Sequence, residues 1–178
     1  MEIAESFGAT VLLAWEGKQP FVELIDYTSR LESAGLLPLS ALLYQTWLTR
    51  NQSPYAHAVN FNLGATLSNL GDTAGAEAAY RRAIAIAPTF AQPRLNLGLL
   101  LERSGQVDAA MAEWQWIVSS CPRDEATRPL VQLALNHLGR VLEGRKQFPQ
   151  AEEHLTQSLL LEPDQPDVLH HWVFLRQK

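Results

Sequence analysis

The sequence predicts an all-α fold of antiparallel helix pairs set in a repeating array, and three observations carry that prediction. The phrase "FNLG" at 61–64 returns as "LNLG" at 95–98 and, in weaker form, as "NHLG" at 136–139. Each copy then carries a small residue, a bulky residue and a proline at the same distances from its glycine. Finally, the apolar residues inside each copy fall at helical spacing, in two segments separated by a glycine-containing turn.

The register is as follows. From Gly64 the first copy runs Ala76, Tyr80, Ala83, Pro88. From Gly98 the second runs Ala110, Trp114, Ile117, Pro122, and from Gly139 the third runs Ala151, Leu155, Ser158, Pro163. Small residues at Gly64 and Ala76 let two antiparallel helices approach closely, and the aromatic at Tyr80 or Trp114 fills the space they leave. The turns "NLGDT" and "RSGQV" supply glycine where a helix C-terminus needs one. Pro88, Pro122 and Pro163 cannot continue the second helix and so close each unit.

This spacing resembles the tetratricopeptide repeat, a helix-turn-helix of about 34 residues with a W-x2-L-G-x2-Y first helix and an A-x3-F second helix. The resemblance covers residues 57–163 as three units, approximately 57–90, 91–123 and 132–165. It implies a right-handed superhelix with a concave groove. Asn60, Arg94 and Leu135 replace the first tryptophan of the pattern, and Lys146 replaces the turn glycine of the third copy. These departures are expected to soften individual units.

The third copy arrives late, with Gly139 lying 41 residues after Gly98. The seven extra residues make about two helical turns, so a first helix extended from Pro129 keeps its packed face. An ordered loop in "PRDEATRP" is the alternative. Residues 1–56 read as divergent N-terminal helices, 3–16, 20–34 and 38–50, broken by "GKQP", "GLLP" and "NQSP". Placing Ala41 at the small second-helix position makes 21–54 a degenerate repeat. Residues 164–178 continue the register, with Trp172 where Leu63, Leu97 and Leu138 stand, and read as the first helix of a truncated further repeat. A solenoid normally ends in a polar cap, so a chain closing on Trp172, Phe174 and Leu175 is expected to be part of a longer protein.

Composition narrows the function classes. A net charge of −5 and a pI near 5.5 argue against nucleic acid as partner. No run approaches the ~18 apolar residues of a membrane span. Glu2 and Glu5 before "ATVLLAW" do not suit a secretory signal. A single cysteine, Cys121, fits a reducing compartment, and the expected location is cytoplasmic. His154 beside Glu152 and Glu153, and the adjacent His170 and His171, lack the spacing of a metal site, since neighbours diverge by about 100° on a helix. No catalytic, cofactor or metal residues are expected within the chain.

Given the resemblance, one position stands out. Asn62 precedes the packed Leu63, and the same slot reads Asn62, Asn96, His137 and His171 through successive units. In a tetratricopeptide superhelix that slot borders the concave surface. An asparagine offers an amide donor and acceptor together, which suits an extended peptide backbone. The alternative is that these polar side chains only satisfy helix ends and neighbours. Further concave candidates are Phe61, Ala65 and Asn69 in the first copy, Leu95, Leu99 and Arg103 in the second, and Asn136, Arg140 and Glu143 in the third. Repeats that clamp an acidic C-terminus carry Lys and Asn where Phe61 and Ala65 stand, so that subclass is not expected. With histidines in the slot, binding is expected to change near pH ~6–7.

The asparagine slot, "AEW" at Ala112–Trp114 and the terminal "HHWVFLRQK" are also similar to the repeats of bacterial SPINDLY-type O-linked N-acetylglucosamine transferases. That resemblance implies a substrate-recruiting region, with the UDP-sugar donor bound beyond Lys178. The His137/His171 half of the ladder departs from it. Three readings therefore stand side by side: a module binding a polypeptide segment, the repeat region of a glycosyltransferase, and a scaffold forming a homo-oligomer through exposed helix faces.

Overall fold

In a computed structural model, residues 2–177 are described, with side chains from Ser6 onward. Among these the chain forms ten helices and no strand. No helix among them is long and apolar enough to cross a membrane. The chain divides into two compact units, Met1–Pro93 and Arg94–Lys178.

The first unit contains α1 (Glu2–Trp15), α2 (Phe21–Ser33), α3 (Leu37–Arg50), α4 (Ala56–Asn69) and α5 (Thr73–Ile86). Helix α3 packs against α1, α2 and α4, and α4 packs against α5. The core runs through Leu24, Leu31, Leu43, Tyr44 and Trp47, then Val59, Leu63, Ala76, Tyr80 and Ala83, all buried. The tightest joint is Gly64 against Tyr80, where a Cβ on the glycine would meet the tyrosine ring at 2.7 Å. Gly64 is there because α4 and α5 cannot otherwise close.

The burial pattern re-registers the degenerate repeat. Ser40, Leu43, Tyr44 and Trp47 are buried in α3 as Ala76, Ala79, Tyr80 and Ala83 are in α5, each pair 36 residues apart. Ser40, not Ala41, therefore stands in the small second-helix position, and Thr28 stands where α4 has Gly64. The spacing between these matched positions is 36 residues, against 34 between Gly64 and Gly98, and hydroxyl-bearing residues stand in both small positions.

The second unit contains most of α6 (Gln92–Arg103), then α7 (Val107–Ser120), α8 (Arg128–Gly144), α9 (Phe148–Leu161) and α10 (Pro166–Leu175). Trp114 is fully buried beside Gly98 and its indole N–H donates to the Leu95 carbonyl at 3.4 Å. Leu155 fills the same place beside Gly139. Helix α8 is 17 residues long and starts at Arg128, after a bend at 122–127 pinned by Thr127 N–H donating to Asp124 Oδ1 at 2.9 Å. The inserted residues thus divide between a short ordered loop and an extended helix. On α10, Trp172 donates to Thr156 Oγ1 at 2.8 Å, while Val173 stands at the position held by glycine in the three repeats.

Eight of the ten helix ends among the described residues follow two rules. Helices α1, α2, α4, α6 and α8 end in a Schellman closure, as in Gln106 N–H donating to Leu101 O at 2.8 Å with Gly105 N–H donating to Glu102 O at 2.9 Å. The left-handed residue is Gly17, Gly35, Gly71, Gly105 and, in the third repeat, Lys146 at φ 61°. Helices α5, α7 and α9 end on Ala87, Cys121 and Glu162, whose backbones leave the helical region (ψ 83°, 138° and 105°) because a proline follows each.

The three residues in place of the pattern's tryptophan each find a different solution. Leu135 is fully buried. Asn60 is 4% exposed and bonds back to the Ala56 carbonyl at 2.8 Å. Arg94 pairs with Glu113 at 2.7 Å and lies 4.0 Å over the Trp116 ring. This last arrangement braces α6 against α7 rather than softening the joint.

Candidate functional site

The recurring slot can be followed onto two clefts, one in each unit. In the first unit a cavity of about 230 Å³ lies between α2 and α4, with Tyr44 of α3 at its base. Asn62, Ala65, Thr66 and Asn69 line it from α4, and Ile25, Ser29 and Glu32 from α2. In the second unit a cavity of about 230 Å³ lies between α8 and α10 over Leu155 of α9. Asn136, His137, Arg140 and Glu143 line it from α8, and Asp167, Val168 and His171 from α10. Both clefts lie between successive first helices of the repeats, the helices that carry the slot.

Three slot residues therefore meet a cleft. His137 and His171 line the same one, and Asn62 lines the other. Asn96 is half-buried on α6 and lines neither. Of the remaining candidates, Asn69, Asn136 and Arg140 also line clefts, whereas Arg103 is exposed at the end of α6. Phe61 turns to aromatic packing, 5.5 Å from the Phe90 ring centre and 6.2 Å from that of Tyr80.

The second-unit cleft has an apolar floor and a rim of polar and charged side chains. Arg140 grips both carboxylate oxygens of Glu102, at 2.5 and 2.7 Å. His171 Nδ1 lies 2.9 Å from Glu143 Oε2. Asn136 donates to Gln165 Oε1 at 2.8 Å, and its own Oδ1 is buried without a partner among the described residues. His137 lies half-buried on Trp114, and its pKa is lowered first by burial and then by the Arg140 charge, with Glu102 opposing. His137 is thus a neutral imidazole at pH 7, with one donor and one acceptor nitrogen. For this residue the pH response is displaced to the acid side of the ordinary 6.5.

The first-unit cleft is organised by residues that sequence reasoning did not single out. Glu32 Oε1 accepts from Ser40 Oγ and from Thr66 Oγ1, both at 2.8 Å. Tyr44 is 3% exposed, and its phenol pKa is pushed up to about 12, first by burial, with hydrogen bonding to Thr28 opposing and the Glu32 charge adding. The signal that could have found this group was Thr66, four residues after Asn62 on the same face, once α2 was placed in the 36-residue register. Among the described residues no group of three or more His, Cys, Asp or Glu side chains is placed to hold a metal ion.

Comparison with known proteins agrees with the repeat architecture. Residues 57–90 match the tetratricopeptide repeat family. No curated protein matches the chain by sequence. Among solved structures, MamA is similar at TM-score 0.67 with 18% identity over 79% of this chain and 77% of its own. MamA 41-end from Desulfovibrio magneticus gives TM-score 0.65 with 19% identity, over 85% and 81%. Pseudomonas aeruginosa PilF gives TM-score 0.64 with 20% identity, over 98% and 69%. At these identities the likeness establishes the fold, a tetratricopeptide-repeat solenoid. The resemblance to glycosyltransferase repeats gains no support from these matches.

Proposed function

We propose that the chain is a cytoplasmic, polypeptide-binding repeat module that holds an extended segment against its first-helix faces. The observation that carries this reading is that one slot, occupied by Asn62, His137 and His171, lines a cleft between successive first helices in both units. An amide or a neutral imidazole at that slot presents a donor and an acceptor to a peptide backbone. The apolar surfaces of Leu155 and Val168 offer burial to a side chain of the same segment. A cavity of about 230 Å³ is smaller than the ~300–1,000 Å³ of small-molecule pockets and suits one side chain at a time.

The narrower reading, recruitment of acceptor polypeptides for an O-linked N-acetylglucosamine transferase, rests on Asn62, Asn96 and the "AEW" and "HHWVFLRQK" motifs. It predicts that the protein copurifies with transferase activity on UDP-N-acetylglucosamine, and absence of that activity removes it.

The test of the general reading is selection of binders from a random twelve-residue peptide display library on the full chain, followed by amide NMR mapping of a selected peptide. The expected shifts fall on α4, α8 and α10. A library without binders, or shifts confined to α5 and α9, overturns the proposal.

A further inference from the structure

We infer that the cleft between α2 and α4 is a receptor for a cationic side chain, arginine or lysine, with Glu32 as its counter-ion; this rests on the polypeptide-binding reading above. Six carboxylates among the described residues are half-buried: Glu32, Glu77, Glu102, Glu113, Glu143 and Glu152. Four of them are paired with an arginine, Glu77 with Arg81, Glu102 with Arg140, Glu113 with Arg94 and Glu152 with Arg176, and Glu143 lies 2.9 Å from the His171 imidazole. Glu32 has no cationic partner among the described residues, and it lines the first-unit cleft opposite α4, which carries no Asp, Glu, Lys or Arg.

Withdrawing a carboxylate from water without an opposite charge is costly, and hydroxyl donors compensate only in part. The chain nevertheless holds Glu32 in place, because Ser40 and Thr66 both donate to Oε1. Both donors come from positions where a small or apolar residue would serve packing alone, since Ser40 occupies the place that Ala76 and Ala110 hold in later units. The two hydroxyls fix the carboxylate's orientation and leave Oε2 with no donor among the described residues.

The rest of the cleft completes a cation site. Ile25 and Ala65 present apolar surface for the methylene stem of a lysine or arginine. The amide oxygens of Asn62 and Asn69 can accept further N–H groups, which favours a guanidinium with its five donors. An anionic side chain would be repelled by Glu32. The same slot residue, Asn62, would then hold the peptide backbone while Glu32 takes the side chain.

The peptide selection described above, run on the wild-type chain and on Glu32→Gln, tests this. Glutamine keeps an acceptor oxygen for Ser40 and Thr66, removes the charge and replaces the second carboxylate oxygen by an NH2 donor. The expected result is enrichment of arginine or lysine at one position with the wild type and loss of that enrichment with Glu32→Gln. A synthetic selected peptide should bind Glu32→Gln about tenfold or more weakly, as loss of a charge-assisted contact implies. Replacing the peptide's cation by methionine should cost the wild type a similar factor and needs no altered protein, so the test survives a variant that does not fold. Binders without a preferred cation, or equal affinity for both proteins, overturn the inference and leave the polypeptide-binding reading standing. A library that yields no binder overturns both.

Discussion

The imidazole of His137 lies nearly parallel to the indole of Trp114, with ring centres 4.8 Å apart and planes 21° from parallel. A slot residue is thereby held against the best-buried aromatic of the neighbouring repeat. The recurring binding position and the repeat's packing are one structure at this point. Burial on Trp114 also explains why His137 resists protonation.

That resistance sets an acid limit on stability. The folded-state pKa of His137 is lowered from the ordinary 6.5, by burial first and by Arg140 second. The unfolded chain therefore takes up a proton that the folded chain refuses. Stability is unaffected above pH ~6.5 and falls as pH drops below it. His154 is lowered by burial as well and contributes in the same direction. Urea titrations at pH 7.5 and 5.0 should show this loss, and His137→Phe, which keeps an aromatic stack, should reduce the difference without abolishing it.

At the other extreme, Tyr44 stays protonated to about 12 in the folded chain. Its raised pKa contributes stability that is complete below pH ~10 and lost as pH rises through the folded value. Tyr44→Phe should flatten the alkaline limb of the stability profile between pH 9 and 11, read by circular dichroism.

Gly64→Ala drives a Cβ into the Tyr80 ring at 2.7 Å. The expected loss is about 1–3 kcal/mol, the range for overpacking a core joint. Gly8→Ala, where a Cβ meets nothing within 4 Å, is the internal control and should be neutral or stabilising by up to ~1 kcal/mol. Chemical denaturation of the pair separates crowding from helix propensity.

Lys146 closes α8 with φ 61°, where the other Schellman closures use glycine. Lys146→Gly should relieve that strain and stabilise the chain by about 1 kcal/mol, or a rise of ~2–4 °C in Tm for a chain of this size. Thermal melting gives the answer directly.

Much of this architecture was legible in the sequence because its punctuation is chemical. Glycine marks the left-handed closures at Gly17, Gly35, Gly71 and Gly105, and Pro88, Pro122 and Pro163 force the preceding backbone out of the helix. The degenerate repeat lies one residue off the register that Ala41 suggests, because Thr28 and Ser40 stand where small residues set the register elsewhere. The Arg94–Glu113–Trp116 brace was not legible either, since its parts sit on different helices and only folding brings them together. For the slot, the residues were legible but not their surroundings: nothing in the pattern says that Asn62 lines one of the two clefts described while Asn96 lines neither.

The central claim is that slot residues in both units hold a polypeptide. Its most direct test is the affinity of a library-selected peptide for the wild type and for Asn62→Ala combined with His171→Ala, each on a different cleft and neither in the packed core. The account predicts binding weakened about tenfold or more, with the fold retained by circular dichroism. Unchanged affinity in the folded double variant would contradict it.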